Sequence, residues 1–166
     1  RIPAMVVVHI FGNMVDMEKI LDIANRYNLK VVEDATEALG TKYTEGKYAG
    51  KFAGTMGTIG VYSFNGNKII TTGGGGMIVS QDAELLAHAK HLTTQAKADE
   101  ANFIHDEIGF NYRLTNLQAA LGIAQLEQLE KYIDVKEENY NEYVKAFDGV
   151  EGIKVLKFRD GIRSNK

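Results

Sequence analysis

Lys68 stands in a short polar loop, Asn65-Gly66-Asn67-Lys68, between the apolar runs Gly60-Val61-Tyr62-Ser63-Phe64 and Met77-Ile78-Val79, with Gly73-Gly74-Gly75-Gly76 ahead of the second run. A lysine amine becomes a nucleophile or base when it is neutral, which burial and nearby positive charge favour. Ser63 offers a hydroxyl at the end of its run, and Asp34 a carboxylate at the end of another, Leu29-Lys30-Val31-Val32-Glu33. Such residues also have plain structural uses: Asn-Gly dipeptides mark turns, and a strand-end Asp caps one. The common phosphate loops do not fit. Lys68 follows Asn67 and lacks the glycine spacing of a P-loop. The glycine run leads into a strand-like run, where a dinucleotide fingerprint requires a helix. His9, His88, His91 and His105 are dispersed. No carboxylate convincingly joins the helical neighbours His88 and His91, so no metal site is expected. Cysteine is absent, which excludes disulfides and thiolate sites.

One chemistry uses an isolated lysine together with a strand-end aspartate. Pyridoxal phosphate (PLP) is held covalently by a lysine and needs a carboxylate to keep its ring nitrogen protonated. Its phosphate needs hydroxyls and backbone N–H groups, which Ser63 and its surroundings could supply.

The elements that would position these groups read as an α/β protein. Met5 to Ile10 is a near-continuous apolar run, the pattern of a buried strand. Asp16 then caps a helix over Met17 to Asn28, with Ile20, Leu21, Ile23, Ala24 and Tyr27 at helical spacing. Leu29 to Glu33 is the next strand, so a parallel pair with a crossover helix is expected. Thr41 to Thr55 reads as an exposed excursion. Gly57 to Phe64 and Gly76 to Ser80 are strands, the second antiparallel to a neighbour. Ser80 or Asp82 caps a helix to about Leu92, and Thr93 to Gly109 is a loop. A long helical pattern runs from Leu114 to about Phe147, with a break near Asp134, and Val150 to Phe158 is a last strand. Ligands of such sheets bind at the carboxyl ends of strands, where Asp34 and the loop after Phe64 both fall. The 166 residues, 45% hydrophobic and 25% charged with net charge −3, suit one folded domain. No basic stripe invites nucleic acid and no run is long enough to span a membrane. Arg1 as first residue and a polar end at Lys166 are expected of a piece of a longer protein.

Three stretches in order carry a resemblance: Val32-Glu33-Asp34-Ala35-Thr36-Glu37-Ala38-Leu39-Gly40, Tyr62 to Lys68 with its glycines, and Gly109-Phe110-Asn111-Tyr112-Arg113 through Gly122. They resemble the central motifs of the DegT/DnrJ/EryC1/StrS family of PLP-dependent nucleotide-sugar aminotransferases. Val8-His9-Ile10-Phe11-Gly12 resembles the strand ahead of the first motif, and the likeness runs from about Met5 to Phe147. It implies a three-layer α/β/α fold with a mostly parallel mixed sheet, the large domain of PLP-dependent transferases of fold type I. Residues 1–148 would be that domain, incomplete at its N-terminal side, and 149–166 the start of a small domain or its linker. By the same resemblance Lys68 holds PLP and moves the proton, Asp34 partners the ring nitrogen, and Ser63 binds the phosphate. Glu37 falls where many members carry Gln or His near the ring. Asn111 matches an asparagine that reaches the cofactor of the neighbouring subunit in a homodimer. Arg113 would face the sugar nucleotide or cap the long helix. Glutamate is the family's usual amino donor. The likeness is greatest to enzymes that aminate C4 of a 4-keto-6-deoxy sugar, in the cytoplasm. Family members are longer, so this stretch alone is expected to be inactive and to retain PLP poorly. A non-catalytic sugar-nucleotide-binding relative is the alternative, against which Lys68 and Asp34 speak. Related dehydratases carry histidine in place of the lysine.

Overall fold

The computed structural model describes residues 3–165; Arg1, Ile2 and Lys166, the outermost residues of the expected domain ranges, lie outside them. The first apolar run forms strand β1 (Ala4–Val8) and the run before Asp34 forms β2 (Lys30–Asp34). They pair in parallel, from Ala4 opposite Lys30 to Val8 opposite Asp34. Between them lies helix α1 (Met17–Tyr27), capped by Asp16, whose carboxylate accepts the Lys19 N–H at 3.2 Å. It ends at Asn28 in the left-handed conformation (φ 49°), which a short polar side chain tolerates. Val7, Met17, Ala24 and Val31 form the buried seam between α1 and the sheet. The alternation of β1 sends Val6 and Val8 to the other face, where both are exposed.

After the short strand β3 (Lys42–Tyr43) come β4 (Ile59–Ser63) and β5 (Gly76–Val79). The main sheet runs β1-β2-β4-β5. β4 is parallel to β2, and β5 is antiparallel to β4, joined to it by residues 64–75 with no helix between them. The result is a mixed, mostly parallel sheet in an α/β fold, as the strand and helix pattern predicts. Where the chain returns into β5 it passes close to β4: a Cβ on Gly76 would sit 2.4 Å from the Tyr62 carbonyl oxygen.

Helix α2 (Ala83–Thr93) is capped by Asp82, which accepts the Leu85 N–H at 3.0 Å; Ser80 instead bonds the Asp82 N–H and the Thr58 carbonyl. The expected loop over Thr93 to Gly109 contains a small hairpin, β6 (Lys97–Asp99) and β7 (Ile104–His105). The long helical pattern is two helices, α3 (Asn116–Leu126) and α4 (Leu129–Ala146), broken at Glu127-Gln128 and not near Asp134. Asp134 lies inside α4, where Arg163 bonds it at 2.7 Å.

Two further expectations are corrected. Thr41 to Thr55 is an exposed excursion only in its middle, over residues 44–52, and its two ends are built into the fold. Thr41 and Ala53 are fully buried, and the Tyr43 hydroxyl accepts the Met17 N–H and donates to the Val15 carbonyl. Val150 to Phe158 is not a strand. Its backbone finds no ladder, and it is held by Phe158 edge-on to Tyr140 and by the Tyr140 hydroxyl donating to the Leu156 carbonyl. Pairing is found further along, where β8 (Ile162–Arg163) runs antiparallel to β3. Among the described residues no helix is long and apolar enough to cross a membrane.

Candidate active site

β2 and β4 end side by side, with Asp34 opposite Val61. Ser63 is two residues beyond Val61 and so stands on the same face of the sheet as Asp34. The Asp34 carboxylate accepts the Thr36 N–H at 3.1 Å, which turns the chain and brings Glu37 forward. Ser63 Oγ accepts the Asn65 N–H at 3.3 Å, and the Lys68 N–H closes a turn onto the Asn65 carbonyl. Lys68 is thereby folded back over the strand end, its side chain only 18% exposed.

Ser63, Lys68, Thr36 and Glu37 line one cavity of about 290 Å³, together with Phe11 and Lys136. Glu37 bridges two parts of it. Its Oε2 accepts the Phe11 N–H at 2.8 Å, and its Oε1 lies 3.8 Å from Lys68 Nζ. Phe11 adopts a left-handed conformation (φ 54°), unusual for an aromatic residue, and the Glu37 bond holds it there. Asp34 borders this cavity without lining it.

Asn111 and Arg113 are not brought to Lys68. Asn111 is exposed and bridges to Thr94. Arg113 lines a separate cavity of about 710 Å³ between β4, β5, α2 and the start of α3. Arg113 does not cap α3. Thr115 does, accepting the Gln118 N–H while the Gln118 side chain returns to the Thr115 N–H. The histidines also differ from expectation. His88 and His91 do find carboxylates, Glu107 at 2.8 Å and Asp106 at 2.7 Å, in an exposed cluster that pins the end of the hairpin to α2. The His91 bond holds the Asp106 carboxyl below its ordinary range.

Two residues that line the cavity carry no sequence signal, and a buried pair beneath it lies in quoted motifs without a role read from them. Lys136 reaches the cavity from α4. Asn165 lines it too, its side-chain amide donating to the Glu37 and Leu39 carbonyls. His9 and Glu33, fully buried beneath the strand ends, bond each other at 3.0 Å. The cavity presents a primary amine, a hydroxyl and, at its border, a carboxylate. That is the donor set an aldehyde, a phosphate and a ring nitrogen require, so these residues fit PLP.

A lysine-bearing cavity at the carboxyl ends of a mixed α/β sheet is the arrangement of PLP-dependent aminotransferases. The chain belongs to the DegT/DnrJ/EryC1/StrS aminotransferase family, which matches residues 1–164. It is 46% identical over 147 residues to the GDP-perosamine synthase of Escherichia coli O157:H7, a match covering 89% of this chain and 39% of that protein. It is 35% identical to the UDP-4-amino-4,6-dideoxy-N-acetyl-beta-L-altrosamine transaminase of Campylobacter jejuni, covering 99% of this chain and 43% of that protein. The aminotransferase TlmJ from Streptoalloteichus hindustanus superposes with a TM-score of 0.89 at 27% identity, over 98% of this chain and 43% of TlmJ. The chain thus spans about two-fifths of the length of these relatives. The family read from three motifs is the family to which the chain belongs.

Proposed function

We propose that this chain forms the cofactor-binding part of a PLP-dependent aminotransferase that delivers an amino group to a nucleotide-linked keto-sugar. The observation that carries this reading is the shared cavity, where Lys68 Nζ, the Ser63 hydroxyl and Glu37 meet beside Asp34. PLP, when bound, supplies an electron sink for the carbon that loses a proton. Lys68 Nζ makes the covalent tie and moves the proton at that carbon. The Asp34 carboxylate holds a proton on the ring nitrogen, and Ser63 Oγ donates to the phosphate. Glu37 keeps Lys68 within the cavity and shapes the wall at Phe11.

The relatives support the finer reading. One of their names describes a 4-amino-4,6-dideoxy sugar, which supports amination at C4 of a 4-keto-6-deoxy sugar; glutamate is the donor in this reading by the family resemblance alone. Asn111 is exposed and away from the Lys68 cavity, which suits a role in the neighbouring site of a homodimer. Arg113, in its own cavity, suits contact with the sugar nucleotide. Residues 1–148 form the large domain, 149–166 lead toward a small one, and the enzyme works in the cytoplasm, where nucleotide sugars are made.

Borohydride reduction of the PLP-treated full-length protein, followed by peptide mapping, tests the reading. The label is expected on Lys68. A label elsewhere, or none, overturns it.

A further inference from the structure

Glu33 and Asp34 are consecutive, so β2 sends their side chains to opposite faces of the sheet. Asp34 shares the face of Ser63. Glu33 lies on the α1 face and is fully buried. Its two oxygens accept four hydrogen bonds. Oε2 takes one from His9 Nε2 at 3.0 Å and one from the Gly54 N–H at 2.8 Å. Oε1 takes one from the Met56 N–H at 2.6 Å and one from the Gly57 N–H. The other ring nitrogen of His9, Nδ1, accepts the Val15 N–H at 3.3 Å, which leaves the ring proton on Nε2, aimed at Glu33. Every partner of Glu33 is thus a donor, and only an ionised carboxylate satisfies them all. Burial pushes the Glu33 carboxyl up, but the bonds from His9, Gly57, Gly54 and Met56 outweigh it and hold the group below its ordinary value.

This knot sits directly under the site. Glu33 pairs with Gly60 in the ladder, one step before Asp34 and Val61. The loop over residues 54–57 passes so close beneath β4 that a Cβ on Gly60 would meet the Gly54 carbonyl oxygen at 1.8 Å. The carboxylate therefore fixes β1, β2 and this loop together at the level where the strands end.

We propose that Glu33 is a positioning residue for the cofactor site: with His9 it ties β1 and the 54–57 loop to β2, and so fixes where Asp34 and Ser63 stand. The inference rests on the reading of Asp34 and Lys68 as cofactor-binding residues. Full-length protein carrying Glu33→Gln, His9→Gln, Asp34→Asn or Lys68→Ala is compared with wild type. Gln keeps the volume of Glu33 but sets an amide N–H against a backbone N–H. Three readouts are taken: amide exchange at Gly54, Met56 and Gly57 without cofactor, the Kd for PLP, and the pH at which the bound cofactor changes its visible absorbance. In Glu33→Gln, exchange is expected about tenfold faster and PLP binding about tenfold weaker. The absorbance change is expected to move in the same direction as in Asp34→Asn. His9→Gln keeps the carboxylate and its backbone donors, so it shows the same changes at smaller size and decides the matter if Glu33→Gln does not fold. Faster exchange with wild-type PLP affinity and spectrum would make Glu33 a core residue only, and unchanged exchange would remove the clamp; either overturns the inference alone. Wild-type PLP binding in both Asp34→Asn and Lys68→Ala would overturn the cofactor reading and this inference with it.

Discussion

Tyr62 reports on the same knot from β4. Its hydroxyl donates to the Ala53 carbonyl, and burial together with the Glu33 charge pushes the phenol up from 10.0 to about 12. A folded-state value above the unfolded one stabilises the protein below the unfolded value, and that contribution is lost as pH rises through the folded value. Ultraviolet titration of the phenols should therefore show a late phase near pH 12 that Tyr62→Phe abolishes. A late phase that persists in the variant would place the shift on another tyrosine. At this scale the sequence was legible unevenly. Lys68, Ser63, Glu37 and Asp34 were legible because each sits in a short local pattern. Glu33 falls in the first motif, yet as a sequence it reads only as the polar end of a strand run. Its meaning depends on His9, 24 residues away, and on N–H groups of a loop that carries no motif.

The helices after the site show how an element is held by few residues. α4 docks through Ile133, fully buried against Gly40, where even a Cβ would lie 2.4 Å from the Ile133 side chain. Ile133→Ala should cost about 2–5 kcal/mol in urea unfolding, the range for emptying a core position. α3 has no buried residue and is held by its cap and by Gln125, whose Oε1 accepts the Thr71 N–H at 2.7 Å. Thr115→Ala should cost about 1 kcal/mol, and Thr115→Ser almost nothing. Equal losses in the two Thr115 variants would show that the cap bond is not what matters. The longer elements were legible because their periodicity spans several turns or alternations. β3 and β8 have two residues each and carry no periodicity; only their pairing across the chain defines them. Val150 to Phe158 misled because Ile153 and Val155 alternate while Phe158 falls out of phase, and the segment is held by contacts to Tyr140 and not by a ladder.

Across the whole molecule, the last described residues strap the chain onto its beginning. Arg163 bonds Glu130 and Asp134 on α4. Ser164 donates to the Gly12 carbonyl, and the Asn165 N–H donates to Thr41. At the near end of the strap the Arg159 guanidinium reaches Asp16 at 2.8 Å, the same carboxylate that caps α1. The Arg159 bond, with the Lys19 N–H, holds the Asp16 carboxyl far below its ordinary 3.8. A depressed folded-state value means that the contribution is complete above the unfolded pKa and is lost as pH falls through the folded one. Wild type should therefore lose stability relative to Asp16→Asn as pH drops below about 4, so that their difference in urea midpoint shrinks with acidity. The effect will be modest, since Arg159 is 40% exposed and salt weakens such a pair. Arg159→Gln should reproduce part of it, leaving the α1 cap in place. A difference between wild type and Asp16→Asn that stays constant from pH 6 to about 2 would mean that Asp16 acts through its shape as a cap and that the strap gains nothing from its charge.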